Sequence, residues 1–381
     1  MSGLDALLER ARLIVCVGPG GVGKTTLAAA LAIEAAARER RTAVLTIDPA
    51  RRLAQALGLD GLDDRLRRVP GAGPLDAAML DTKASYDALV DRIARDPEAR
   101  ARIHANRVYR SFSRTLARSH AYVAMERLHH VLASGEHDLV VLDTPPTRSA
   151  LDILDAPGRL SRFLDERVLR LFVGGPGAGA WLRAKGGALA LRLFARIAGE
   201  GIVGELASFF DAFLHLRHGF AERAAEVQAA LRDEATAFVL VTAPEATHLA
   251  DAAYLRDGLV ERGAPLVAML FNRAFTRGAD GRPLREASYD PDALLDAMGL
   301  APGPQREDLL SVIAAARALR AEHVLENEAR DAALRRFCAD AGASAPLRLR
   351  FPRLDAEPHT LGALRALLAA AVPVESRQVE A

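Results

Sequence analysis

Cysteine is almost missing from this chain: Cys16 and Cys338 are the only two in 381 residues. Two thiols cannot build a disulfide framework or a four-ligand zinc cluster within one chain, so a stapled fold and a structural zinc site are both excluded. Lysine is nearly as scarce. Lys24, Lys83 and Lys185 are the only three, so any chemistry that needs a primary amine falls to one of them. An excess of either charge is lacking too: 50 Lys+Arg against 49 Asp+Glu leave a formal net charge of +1. The basic residues are spread along the chain, which removes the electrostatic argument for nucleic acid. No uncharged apolar run reaches the roughly 18 residues of a membrane span, and the first residues lack the basic-then-apolar pattern of an export signal. A soluble cytoplasmic protein is expected, with no nucleic-acid partner and no stable membrane insertion.

What the chain does have is core-forming sequence, since half of its residues are hydrophobic. Seven short apolar runs alternate with helix-forming stretches: Leu13–Val17, Ala43–Ile47, Ala77–Leu80, Leu139–Leu142, Ala237–Val241, Leu266–Phe271 and Leu347–Phe351. Strands buried on both faces read as continuous apolar runs, and their alternation with helices implies right-handed crossovers and a mainly parallel, doubly wound α/β sheet. Ligands bind such sheets at the carboxyl ends of the strands. The first, second and fourth runs end there in Gly18, Asp48 and Asp143. One domain over 1–381 is expected, with two long intervals beyond a minimal α/β unit, 86–132 and 160–230, forming a helical subdomain. The second interval carries Phe163, Leu171, Trp181, Phe194, Phe209 and Phe213, with glycine breaks at Gly174-Gly175 and Gly186-Gly187. An apolar stripe of this kind is ordinary core, or it is a surface that receives a hydrophobic protein segment.

The sharpest feature is Gly18-Pro19-Gly20-Gly21-Val22-Gly23-Lys24-Thr25-Thr26, a complete G-x-x-x-x-G-K-T phosphate-binding loop. It directly follows the first apolar run and precedes the helix-forming stretch Leu27–Ala37, which is the strand-loop-helix context the motif requires. Such a loop aims backbone N–H groups and the positive end of a helix dipole at one spot. The motif assigns Gly20, Gly21, Val22 and Gly23 to the phosphate cradle, Lys24 to the β- and γ-phosphates, Thr25 to Mg²⁺ and Thr26 to a further hydroxyl contact. An aspartate closing an apolar strand beside such a loop is the usual magnesium partner, reached through water, and Asp143 in Leu142-Asp143-Thr144-Pro145-Pro146-Thr147 fits that place. Asp48, in Ile47-Asp48-Pro49-Ala50, stands on a neighbouring strand end and can orient the attacking water, because phosphoryl transfer depends mainly on positioning and charge stabilisation.

Taken in this order, with Pro244-Glu245, Asn272 and Phe351-Pro352-Arg353-Leu354 further on, these segments resemble the anion-transporting ATPase family. That family comprises the arsenite-pump and guided-entry ATPases, and the MinD and ParA ATPases are more distant relatives. The resemblance implies a P-loop NTPase fold, ATP and Mg²⁺ as ligands, Asn272 at the adenine edge, and Pro352 and Leu354 as walls for the base. It also implies a dimer, as a homodimer or, since Pro19 replaces the lysine that reaches across it, a heterodimer with a paralogous ATPase; the apolar interval 160–230 is the place for a hydrophobic protein segment as client. This chain departs from the family in three ways. Pro19 stands where the loop usually has a signature lysine. The Cys-x-x-Cys pair of the eukaryotic members is absent, and two scattered cysteines cannot form a metalloid cluster, which argues against an arsenite efflux motor. The reading is therefore an ATPase that couples nucleotide state to conformational change. The alternative is a nucleotide-binding switch or scaffold with little hydrolysis, for which Pro19 speaks. Arg51, Arg52 and Arg148 are the candidates within the switch segments for the cation that Pro19 does not supply.

Overall fold

The computed structural model describes residues 2–47, 52–80, 120–145, 151–155, 158, 222–280, 282–286, 290–341, 346–354, 356 and 358–374. Nine strands form one sheet in the order β3-β4-β2-β5-β1-β6-β7-β8-β9. They are β1 (Leu13–Val17), β2 (Thr42–Thr46), β3 (Arg67–Arg68), β4 (Leu75–Met79), β5 (Leu139–Asp143), β6 (Thr236–Thr242), β7 (Leu266–Phe275), β8 (Leu347–Pro352) and β9 (Val372–Pro373). Every pair from β4 across to β8 is parallel, and only the short edge strands β3 and β9 run antiparallel. This is the doubly wound α/β architecture expected of a P-loop fold. All seven expected runs are strands, most of them a residue or two longer than the apolar pattern marks. The edge strands carry no such pattern: β3 is two exposed arginines.

Alternate residues of each central strand feed two cores. Leu13, Val15 and Val17 join a cluster with Met125 and Leu128 of α4 (His120–Ser134), Leu255 of α5 (Ala246–Glu261) and Phe337 of α7 (Pro304–Asp340). Ile14 and Cys16 face the opposite cluster, built on α1 (Ser2–Arg10), α2 (Lys24–Ala37) and α8 (Leu361–Ala369). Helix α2 is Ala- and Leu-rich and almost wholly buried. It has no polar face because both the sheet and α8 pack on it. A five-residue α3 (Arg52–Ala56) follows β2, and residues 151–155 and 222–230 are also helical.

Helix α7, at 37 residues, is the longest described element and spans about 55 Å. Its buried residues all lie from Val324 onward. There Phe337 meets Phe271 edge-on at 5.9 Å, and Arg256 lies 5.2 Å over the Phe337 ring. Its first turns are braced by the short α6 (Pro291–Ala297), where Arg306 pairs with Asp292 and Asp296. Of the expected helical intervals, 120–132 and 222–230 are helical and the remainder lies outside the described residues. Among the described residues no helix is long and apolar enough to cross a membrane.

Candidate nucleotide-binding site

The site grows from the carboxyl ends of three adjacent strands. In the β2–β5–β1 register, Thr46, Asp143 and Cys16 form one row, so the end of β5 sits between the ends of the other two. Gly18 then leaves β1 against β6, and a Cβ there would lie 2.0 Å from the Val241 carbonyl oxygen; only glycine permits that approach. Gly23, at φ 86°, turns the chain into α2. A Cβ at Gly23 would stand 2.2 Å from Asn272 Nδ2. The loop is thus shaped by two neighbouring strands as well as by its own glycines.

Lys24 is buried, and its Nζ donates to the Gly18 and Pro19 carbonyls at 3.3 and 3.4 Å. The ammonium is therefore held over the loop. Thr25 Oγ1 donates to Asp143 Oδ2 at 2.7 Å, and Thr46 Oγ1 donates to the same oxygen at 2.9 Å. Asp143 is fully buried, and a carboxylate out of water needs such donors together with nearby positive charge. Thr144 closes the strand end by donating from Oγ1 to the Cys16 carbonyl at 2.8 Å. The hydroxyl of Thr25 and the carboxylate of Asp143 are hard oxygen ligands side by side, a donor set that suits Mg²⁺. Cys16 is unsuited to metal or metalloid: burial first, and the Asp143 charge second, push its thiol pKa far above the ordinary value, against a smaller opposing effect of Lys24. Cys338 is raised too, chiefly by burial. Among the described residues no group of three or more His, Cys, Asp or Glu side chains is disposed to hold a metal.

A cavity of about 650 Å³ opens over the loop. Gly20, Gly21, Gly23, Lys24, Thr25 and Thr26 line it together with Asn272, Pro352 and Leu354. Residues 250 to 330 positions apart in sequence thereby face one volume. Val22 turns its side chain into the core and contributes its carbonyl, which accepts from Asn272 Nδ2 at 2.9 Å. Asn272 Oδ1 accepts from the Arg273 amide at 3.0 Å. The side chain expected at the adenine edge therefore also ties β7 to the phosphate loop. Asp48, Arg51, Arg148, Pro146 and Thr147 lie outside the described residues. Arg52 lines the cavity, as do Arg273, Arg330 and Arg353, which sequence reasoning missed. Two of these were legible as neighbours of Asn272 and Pro352; nothing local marks Arg330, whose position depends on how α7 packs.

Comparison with known proteins bears on part of this site. Residues 11–173 match the sequence family described as anion-transporting ATPase. Over that segment the chain is similar to the family. The matched segment holds the phosphate loop, Asp48 and Asp143, while Asn272, Pro352 and Leu354 fall beyond it. An uncharacterised protein of Streptomyces coelicolor is 34% identical over 154 residues, 40% of this chain and 39% of the relative. The ATPase get3 of Schizosaccharomyces pombe is 29% identical over 163 residues, 42% of this chain and 48% of the relative. A putative arsenical pump-driving ATPase of Halobacterium salinarum is 28% identical over 169 residues, 42% of this chain and 26% of the relative. The chain thus spans about half, or less, of the length of these relatives.

Proposed function

We propose that this chain is a Mg²⁺-dependent ATPase that couples its nucleotide state to conformational change. The observation that carries the reading is the convergence of Lys24, Thr25 and Asp143 with Asn272, Pro352 and Leu354 on one cavity. Loop amides and Lys24 would bind the triphosphate, and Thr25 and Asp143 would hold Mg²⁺. When bound, the metal neutralises charge on the β- and γ-phosphates. Asp48 orients the attacking water. Asn272, Pro352 and Leu354 receive adenine. The helical intervals 86–132 and 160–230 are the subdomain that responds, with a hydrophobic protein segment as client and a second copy or a paralogous ATPase as partner.

The second reading, a switch or scaffold subunit with little hydrolysis, is favoured by Pro19, which cannot stabilise charge on the transferring phosphoryl group. A cationic finger is worth about 10³ to 10⁵ in rate. Both readings are tested by the ATPase rate of the purified protein with and without Mg²⁺, beside analytical ultracentrifugation in ADP and in a non-hydrolysable ATP analogue. Mg²⁺-dependent turnover that vanishes in Lys24→Ala, with ATP still bound but not hydrolysed by Asp48→Asn, is the expected result. Tight ATP binding by Lys24→Ala would overturn the assignment. Turnover that appears only with a paralogous partner would select the second reading.

A further inference from the structure

The cavity is more cationic than a nucleoside requires. Lys24, Arg52, Arg273, Arg330 and Arg353 line it against a single carboxylate, Glu245, among the described residues. Lys24 belongs to the phosphate loop, but Arg273 and Arg353 adjoin Asn272, Pro352 and Leu354, the nucleoside end on the proposed reading, and Arg330 reaches the cavity from α7. Arg273 directly follows Asn272, and Arg353 lies between Pro352 and Leu354. Arg330 stands one helical turn after Asn327, which clamps Thr276 by accepting from its amide at 2.8 Å and donating to its carbonyl at 3.0 Å. The end of β7, the residue after β8 and the inner half of α7 therefore each contribute an arginine to the cavity lining.

Arg273 and Arg353 are exposed on the cavity wall, and Arg330 is largely buried. Arg273 holds a left-handed backbone at φ 54°, one of only two non-glycine residues with positive φ among those described, and strain of that kind gathers at ligand sites. Arg330 keeps only 14% of its side chain exposed; its Nη2 reaches Glu326 Oε1 at 2.5 Å while its Nη1 is buried with no acceptor. Neither Arg273 nor Arg353 has a carboxylate partner for its guanidinium among the described residues. Like charges lining one cavity repel each other, and adenine is neutral. A planar fork of N–H donors matches phosphate oxygens bidentately.

We propose that Arg273, Arg330 and Arg353 form a second anion subsite at the nucleoside end, which takes a phosphate group separate from the triphosphate chain. The inference rests on the reading that the phosphate loop holds an adenine nucleotide. The group comes either from a ribose-phosphorylated adenine nucleotide or from free phosphate beside the nucleotide. Calorimetric titration separates the two sources. One arm compares ADP with ADP carrying an added 2′- or 3′-phosphate; the other adds inorganic phosphate to the ADP-saturated protein. A charge-assisted contact is expected to tighten binding roughly tenfold to a hundredfold in the first arm, or to produce saturable phosphate binding in the second. Either gain should collapse in Arg273→Gln/Arg353→Gln and survive in part in Arg353→Lys, which keeps the charge and shows that the fold tolerates change there. If both arms show no gain, or if the gain persists in the double Gln variant, the subsite is refuted. Failure of ADP itself to bind, or equal ADP binding by Lys24→Ala, would instead remove the nucleotide reading. Inorganic phosphate added to the protein alone then decides the subsite: saturable binding lost in the double Gln variant upholds it, and no binding overturns it.

Discussion

Asn272 has two possible duties in this site, and one substitution separates them. Its Nδ2 donates to the Val22 carbonyl at 2.9 Å, its Oδ1 accepts from the Arg273 amide at 3.0 Å, and the residue is 7% exposed. Asn272→Ala deletes both bonds and leaves a buried carbonyl and the amide of a left-handed residue without their partner. Each bond is worth about 1 kcal/mol net, with an added penalty of about 1 to 3 kcal/mol where the remaining group stays buried and unsatisfied, so a stability loss of about 2 to 4 kcal/mol is expected in urea titration. Half of that tether acts on the phosphate loop itself. Affinity for the loop's ligand should therefore fall about tenfold, the equivalent of about 1.4 kcal/mol. The decisive probe is inorganic tripolyphosphate, which has no base. If Asn272 holds the loop, Asn272→Ala weakens tripolyphosphate and ATP alike. If it serves only the adenine edge, tripolyphosphate binding is unchanged and only the preference for ATP over GTP is lost. Unchanged tripolyphosphate affinity would refute the latch.

The two glycines predict different costs. Gly18→Ala drives a methyl group into the Val241 carbonyl and should destabilise by about 3 kcal/mol or more, read from the denaturation midpoint. Gly23→Ala meets the flexible end of Asn272, so in an Asn272→Ala background its cost should shrink to the left-handed backbone penalty of about 1 to 2 kcal/mol; an undiminished cost would mean that the two residues are not coupled. Because Cys16 and Cys338 have thiol pKa values raised by burial above the ordinary 9.0, the unfolded chain ionises first as pH rises. Stability should be unaffected below about pH 9 and fall above it by up to about 1.4 kcal/mol per pH unit for each thiol; Cys16→Ala should flatten that slope, and an unaltered slope would reject its cause. Hydrogen exchange in the interval 160–230 should differ between ADP and ATP-analogue states more than in β1, β5 and β6; high and nucleotide-independent protection would mark it as ordinary core.

Local pattern alone was enough for the parallel sheet. A buried central strand is a continuous apolar run, so Leu13–Val17 matches β1 to the residue, and the phosphate loop was legible because all its parts are contiguous. Asp143 was legible as well, since a charged residue closing such a run has few other reasons to be there. The edge strands were not, because β3 and β9 take their hydrogen bonds from a neighbour and their side chains from no pattern. Nor was α7, in which alanines and arginines spread around the helix leave no clear apolar face along most of its length. The part of the cavity that Asn272, Pro352 and Leu354 line depends on sheet order: β7 and β8 stand beside β6 only after the chain has crossed the sheet, and that crossing brings Asn272 to Val22, 250 residues away. Arg330 needs one step more, the docking of α7 on β7 through Asn327 and Phe337. Sequence therefore determined the phosphate end of the site, where chemistry and chain are collinear. Tertiary structure decided the rest of the cavity, where residues meet because their strands and helices pack together.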